Sequence, residues 1–255
     1  QETSNIDRTD IAQPAIFAIQ AGLADLLKSW GVVPTRVVGH SVGEVAAALG
    51  AGALSFEDSV RVIFHRSRLQ HMTAGRGGMA AVGLSEQQAR LMISQEPGLD
   101  VAAINSASMV TIAGENEALA RVMSSLEADG VFVRKLPINY AFHTSQMDPI
   151  HDELLASLAD VRPHDGSVPF VSTVNGDVVA GSGIDAAYWW RNVREPVRFE
   201  KAIRSCIDLG TDLFLEVGPH SSLIGSVNET IGATKATATV AHTLRRNQDD
   251  SASLL

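Results

Sequence analysis

Apolar residues early in the chain recur at helical spacing, with Ile16, Phe17, Ile19, Leu23, Leu26 and Leu27 forming one broad face. The pattern predicts a helix from about Pro14 to Trp30, capped by Thr9 or Asp10 and stopped by Gly31. A short apolar run from Arg36 to Gly39 then reads as a strand, followed by an alanine-rich helix over Glu44 to Leu49. Ser55 and Asp58 have the spacing of a capping box and open a further helix from about Phe56 to His71.

Beyond the glycine-rich stretch 75–78 the period changes. Met79 to Val82 reads as a strand, Ser85 to Ser94 as a helix, Val101 to Asn105 and Met109 to Ala113 as strands, Asn116 to Asp129 as a helix and Val131 to Leu136 as a strand. That β-α-β-β-α-β order is the ferredoxin-like split unit, and it reads as an inserted subdomain of roughly 60 residues. The larger fold resumes with a strand over Val168 to Val174 and an Asn175-Gly176 turn. A tryptophan-rich helix around Tyr188 to Arg191 and another near Arg198 to Ile207 follow, then strands over Leu213 to Val217 and Thr237 to Ala241. The expected fold is α/β: an α/β-hydrolase-like core with a parallel sheet, made of residues 1–77 and 140–255, carrying a ferredoxin-like small subdomain over 78–139. Both ends read as cut edges.

Composition narrows the function classes. The chain has 255 residues, 45% hydrophobic and 19% charged, enough for a substantial core in one large domain. Its single cysteine, Cys206, excludes an internal disulfide, and no cysteine-histidine cluster has metal-site spacing, so a reducing, cytoplasmic setting without a structural metal is expected. No apolar run reaches membrane-spanning length. A net charge of −9 argues against general nucleic-acid binding.

The candidate chemistry centres on Val38-Gly39-His40-Ser41-Val42-Gly43-Glu44, where a serine stands between two glycines at a strand-to-helix turn. Such a turn holds the hydroxyl clear of its backbone, the small neighbours Gly39 and Gly43 let strand and helix approach, and the helix amino terminus favours negative charge. Ser41 is therefore a candidate acyl-forming nucleophile, with the Val42 N–H as an oxyanion donor; the alternative is a serine cap flanked by turn glycines. Among the eight histidines, His143 follows the insert's last strand and is the best candidate base. His40 is better placed to pack against the elbow, and His65 and His71 lie on a helix. His220 follows a strand and could face the pocket, while His151, His164 and His242 show no pattern.

A series of motifs runs along the chain: Gly39-His40-Ser41-Val42-Gly43-Glu44, Arg66 within His65-Arg66-Ser67-Arg68-Leu69, Gly77-Gly78-Met79, Tyr140-Ala141-Phe142-His143, Tyr188-Trp189-Trp190-Arg191-Asn192 through Phe199, Glu216-Val217-Gly218-Pro219-His220 and Leu244-Arg245-Arg246. Together they resemble the acyltransferase domains of modular type I polyketide synthases and their malonyl-CoA:acyl-carrier-protein transacylase relatives, over nearly the whole chain. The resemblance implies Ser41 as the acylated nucleophile and His143 as its base, with the main-chain carbonyl of Asn192 orienting the imidazole. It also implies that Arg66 pairs with the free carboxylate of a malonyl-type group and that Gln13 lines the pocket. A strand and a glycine-glutamine loop carrying a second oxyanion donor would precede Gln1, and without that donor the isolated chain would be slow.

Within that family Val42 and Phe142 side with malonyl and Tyr140 is a mixed signal; a phenyl ring at Phe142 would crowd an α-methyl branch, leaving methylmalonyl-CoA as the alternative extender. The implied reaction is ping-pong, from malonyl-CoA to the phosphopantetheine thiol of an acyl carrier protein, with no metal or permanently bound cofactor. The implied partners are that carrier protein and neighbouring synthase domains such as a ketosynthase. Arg191, Arg194, Arg198, Lys201 and Arg204 form the densest basic segment and a candidate docking surface for an acidic carrier. A serine hydrolase, such as a thioesterase or an editing acyl hydrolase using the same dyad, and a noncatalytic scaffold domain are the other classes compatible with the elbow.

Overall fold

In the computed structural model, which describes residues 5–249, helix α1 spans Thr9–Ser29 and lies against α2 (Gly43–Ala51) and α3 (Phe56–His71). Helix α1 starts five residues before the expected Pro14, which sits inside it and removes only the bond to the Asp10 carbonyl. Arg8, not Thr9 or Asp10, is the N-cap, and the Thr9 hydroxyl instead accepts from Gln13 one turn on, at 2.6 Å. Helix α3 has the expected bounds. Ser55 accepts from the Asp58 N–H at 3.0 Å, but Asp58 does not reciprocate, so the capping box is half formed.

Strand β1 (Val37–Val38) pairs in parallel with β6 (Phe170–Val171), which pairs antiparallel with β7 (Val178–Val179) across the Asn175-Gly176 turn. Gly176 takes φ +82° there, a conformation other residues adopt at a cost. The expected strand over Val168 to Val174 is cut to two residues because the Thr173 N–H and hydroxyl are drawn to the Glu44 carboxylate instead of a neighbouring strand. A second parallel pair joins β9 (Leu213–Glu216) to β10 (Thr239–His242). Among the described residues these five strands of the larger fold form two small sheets, each built on a parallel pair, instead of one continuous sheet.

The insert folds as β2 (Gly78–Val82), α4 (Glu86–Ile93), β3 (Leu99–Ser106), β4 (Met109–Gly114), α5 (Asn116–Ala128) and β5 (Val133–Lys135). Its sheet order, β5-β2-β4-β3, is the crossed order that two split β-α-β units generate. A fifth strand, β8 (Val197–Arg198), comes from the larger fold and adds in parallel to β3, joining the two parts. A capping box closes the start of α4 through Ser85 and Gln88.

Four further α-helices follow among the described residues: α6 (His151–Ser157), α7 (Ala186–Arg194), α8 (Phe199–Asp208) and α9 (Ile224–Gly232). Apolar periodicity did not mark α6 or α9. The latter is short and contains Gly225 and Gly232, and it is secured by the Glu216 carboxylate, which accepts from the N–H groups of Ser222 and Leu223. The main core is built by α1, α2, α3, α6 and α7 around Phe17, Val45, Leu69, Leu154 and Trp189. No described helix is long and apolar enough to cross a membrane.

Of the two glycines flanking Ser41, only Gly39 is sterically required. A Cβ on Gly39 would lie 2.3 Å from the Glu44 nitrogen and from the Gly43 carbonyl carbon, whereas one on Gly43 would meet only Gln20 Nε2, at 3.9 Å. Gly39→Ala is expected to lower unfolding stability by about 1–3 kcal/mol and Gly43→Ala by no more than about 0.5 kcal/mol. Thermal melts of the two variants check this; equal losses would contradict the close approach.

Candidate active site

Ser41 sits between β1 and α2 with φ +52°, a left-handed backbone that costs a non-glycine residue energy and recurs at functional sites. Two turn bonds hold it there, from the Gly43 N–H to the His40 carbonyl at 2.9 Å and from the Glu44 N–H to the Ser41 carbonyl at 3.1 Å. The Val42 N–H, between them at the mouth of α2, donates to no acceptor among the described residues, so it is free for a developing oxyanion.

The loop after β5 carries His143, also left-handed at φ +62°, and brings its Nε2 to 2.8 Å from Ser41 Oγ. Its Nδ1 lies 2.9 Å from the Glu195 carbonyl oxygen. A carbonyl only accepts, so Nδ1 holds the ring proton and Nε2 offers its lone pair to the serine O–H. The orienting carbonyl is thus that of Glu195 and not, as expected, of Asn192: Glu195 turns extended where α7 ends and aims its oxygen at the ring. Burial holds the His143 pKa down to about 3, aided by the positive charge of Arg66 and by His40, against the Glu195 bond. The imidazole is neutral at rest, as a base must be.

Arg66 lies on the buried face of α3 and is only 2% exposed. Its Nε donates to Asn192 Oδ1 at 3.1 Å, Nη1 donates to Gln13 Oε1 at 2.5 Å and Gln70 Oε1 at 3.0 Å, and Nη2 donates to Ser41 Oγ at 2.9 Å. A guanidinium has five N–H groups, so one on Nη2, beside the nucleophile, is left uncommitted. No carboxylate forms an ion pair with Arg66 among the described residues. Burial lowers its pKa to about 10, with Glu44 opposing, so it stays charged near neutrality.

Gln13 supports the guanidinium and also donates to Thr9 Oγ1 at 2.6 Å and Gln70 Oε1 at 2.8 Å. Gln70 and Glu44 were not picked out from the sequence. Gln70 was legible in principle, four residues from Arg66 on the same helix face, while Glu44 stood inside the serine motif as an ordinary first-turn acid.

A serine hydroxyl, a neutral imidazole and a guanidinium with no carboxylate in contact among the described residues thus meet in one cluster drawn from the turn between β1 and α2, from α3 and from the loop after β5. The profile of the family described as "Acyl transferase domain" matches residues 1–255. The chain belongs to the acyl transferase domain family. It is 44% identical over 245 residues to the spectinabilin polyketide synthase system protein NorC of Streptomyces orinoci, covering 95% of this chain but 11% of that protein. It is 41% identical over 227 residues to erythronolide synthase EryA2 of Saccharopolyspora erythraea, covering 89% of this chain and 6% of that protein. Among solved structures, the acyltransferase domain from module 8 of the salinomycin polyketide synthase superposes with a TM-score of 0.96 at 39% identity, over 100% of this chain and 60% of that one. A malonyl CoA-acyl carrier protein transacylase from Clostridium perfringens gives 0.86 at 28% identity, over 94% and 77%. The chain therefore spans only a small part of the curated relatives.

Around the Ser41–His143 pair, Phe142 is half-buried and stacks flat on Tyr140, ring centroids 4.9 Å apart and planes 10° apart. The Tyr140 hydroxyl is held 2.8 Å from His71 Nδ1, which fixes the stack from behind. His40 packs edge-on against Phe199, with Nε2 2.9 Å from Asn105 Oδ1 on β3, so it ties the elbow to the insert instead of sharing the serine's proton. His220 does not join the cluster: it is exposed and accepts from the Arg246 N–H at 3.3 Å. Nor is the basic segment bare. Arg191, Arg194, Lys201 and Arg204 pair with Glu195, Asp148, Asp177 and Glu200, and of the five only Arg198 makes no ion pair among the described residues. No described group of three or more His, Cys, Asp or Glu could hold a metal ion.

Because the base is neutral at rest, kcat/KM for Ser41 acylation is expected to stay flat from about pH 8 down to about pH 5, without a limb near the ordinary histidine value of about 6.5. A descending limb centred near that value in the pH profile would contradict the buried, neutral imidazole.

Proposed function

We propose that this acyltransferase domain transfers a malonyl-type extender unit from CoA to the phosphopantetheine thiol of an acyl carrier protein through a malonyl-Ser41 ester. The observation that carries the reading is the spare N–H on Arg66 Nη2 next to Ser41 Oγ, on a buried cation that no carboxylate among the described residues pairs with. A planar guanidinium so placed is a receptor for a carboxylate carried by the substrate.

In the first half-reaction His143 Nε2 takes the Ser41 proton as Oγ attacks the thioester carbonyl, and the Val42 N–H meets the oxyanion. Collapse expels the CoA thiolate, which recovers the proton from His143. The carrier thiol then gives its proton to His143, attacks the ester and releases Ser41, which is reprotonated. The carboxylate has a second effect: Arg66 is one cause of the low His143 basicity, and an anion paired with Arg66 cancels part of that field. Binding a dicarboxylic acyl group thus strengthens the base at the moment it is needed.

Phe142 supports malonyl over methylmalonyl, since its ring is braced by Tyr140 and cannot turn aside freely for an α-methyl branch. One methyl is worth about 1–3 kcal/mol of discrimination. The same reading divides the chain into a core of 1–77 and 140–255, which carries Ser41, Arg66 and His143, and an insert of 78–139. The carrier protein and neighbouring synthase domains are the partners it implies, with Arg198 the basic residue most available for docking.

Intact-mass analysis after exposure to malonyl-CoA is expected to show one malonyl adduct on the wild type and none on Ser41→Ala. Arg66→Ala is expected to lower acylation by malonyl-CoA about a hundredfold or more, and acylation by acetyl-CoA far less, as for loss of one partner of a buried charge pair. Equal losses for the two donors would sink the carboxylate role. Phe142→Ser is expected to shift the malonyl to methylmalonyl ratio about tenfold toward methylmalonyl, and an unchanged ratio would remove Phe142 from the selectivity argument.

A further inference from the structure

Glu44 is a fully buried carboxylate that the transfer steps do not use. Four donor groups converge on it: the Thr173 N–H, the Thr173 hydroxyl at 2.9 Å, whose single hydrogen is shared with the Gly39 carbonyl at 3.0 Å, the Tyr188 hydroxyl at 2.8 Å and Asn192 Nδ2 at 2.8 Å. Ser172 Oγ lies 2.6 Å from the Tyr188 oxygen and extends the set by one hydroxyl. A group surrounded only by donors is organised as an acceptor, which suits a carboxylate anion. Burial raises the Glu44 pKa above the ordinary carboxylate value, and the hydrogen bonds from Thr173, Tyr188 and Asn192 all oppose that rise and favour the anion.

The consequence passes through Asn192. One Nδ2 hydrogen goes to Glu44 and the other to the Ser41 carbonyl at 3.1 Å, which leaves Oδ1 facing Arg66 Nε at 3.1 Å. A side-chain amide can turn over and exchange its ends, and the anion at Glu44 forbids that exchange because it accepts only from the NH2 end. We propose that Glu44 is a positioning residue for recognition of the acyl carboxylate: it fixes the Asn192 amide so that Arg66 is aimed at the substrate, and it supplies the buried counter-charge, one residue removed, that keeps the guanidinium in place. A carboxylate touching Arg66 directly would neutralise it and close the receptor; one held across an amide stabilises the cation and leaves Nη2 open. The inference rests on Arg66 reading the substrate's carboxylate.

The test is a double-mutant cycle on the ratio of malonyl to acetyl acylation of Ser41, measured by intact mass over time. Glu44→Gln keeps the shape, removes the charge and presents an NH2 group to the converging donors. It is expected to lower that ratio about tenfold, the effect of one weakened charge-assisted hydrogen bond. In an Arg66→Ala background the same change is expected to leave the ratio where Arg66→Ala alone puts it. Tyr188→Phe, which removes one donor and keeps the ring, is expected to lower the ratio in the same direction by a smaller factor, and it carries the test if Glu44→Gln does not fold. Glu44→Gln, or Tyr188→Phe in its place, slowing both donors equally with the ratio unchanged would make Glu44 a purely structural group and overturn the proposal. If Arg66→Ala itself leaves the ratio unchanged, the carboxylate reading fails first, and that result is separable from the failure of Glu44 alone.

Discussion

A guanidinium withdrawn from water without a carboxylate in contact is the constraint on which the rest of this site depends. Burying a charge without a partner is costly, and every group in contact with this one is a neutral acceptor, the amide oxygens of Gln13, Gln70 and Asn192 and the hydroxyl of Ser41, while the Glu44 carboxylate acts from one residue away. Each acceptor is itself pinned. Gln13 is held by Thr9 across one turn of α1, Gln70 projects from the same face of α3 as Arg66, and Asn192 is held by Glu44. Together they hold the cation in place with one N–H on Nη2 left uncommitted.

The dyad is tuned by the same cation. A histidine buried beside Arg66 gives up basicity, and a serine hydroxyl that accepts from Arg66 while donating to His143 is held in one rotamer. Left-handed backbone at both Ser41 and His143 gives the geometry its precision, since neither residue would adopt it without the turn bonds around Ser41 and the Thr144 hydroxyl bond to the Ala141 carbonyl. Two reacting groups on separate segments are fixed by local backbone, while the charge between them is fixed by distant side chains.

Much of this was legible in the chain because it is local. The elbow announces itself by Gly39 and the apolar run before it, the bounds of α3 by Ser55, and the insert by its alternation of strand and helix. The long-range features were not. Arg66 and Gln13 entered only through resemblance, because a buried arginine on a helix has the same spacing as a solvated one. The carbonyl assigned to Asn192 belongs to Glu195, three residues on, where the end of α7 decides which oxygen turns inward. Thr173 left its strand for Glu44, a contact between positions 129 apart that no periodicity records. His220 looked suitable by position after β9 and faces outward.

The account is tested most directly by a crystal structure of the malonyl-Ser41 adduct, formed on the wild-type chain from malonyl-CoA with no carrier thiol present. The account predicts that the malonyl carboxylate takes over Nη2 of Arg66, while Nε remains on Asn192 Oδ1 and Asn192 on Glu44. A carboxylate lying elsewhere, with Arg66 still directed at the serine oxygen, would contradict it.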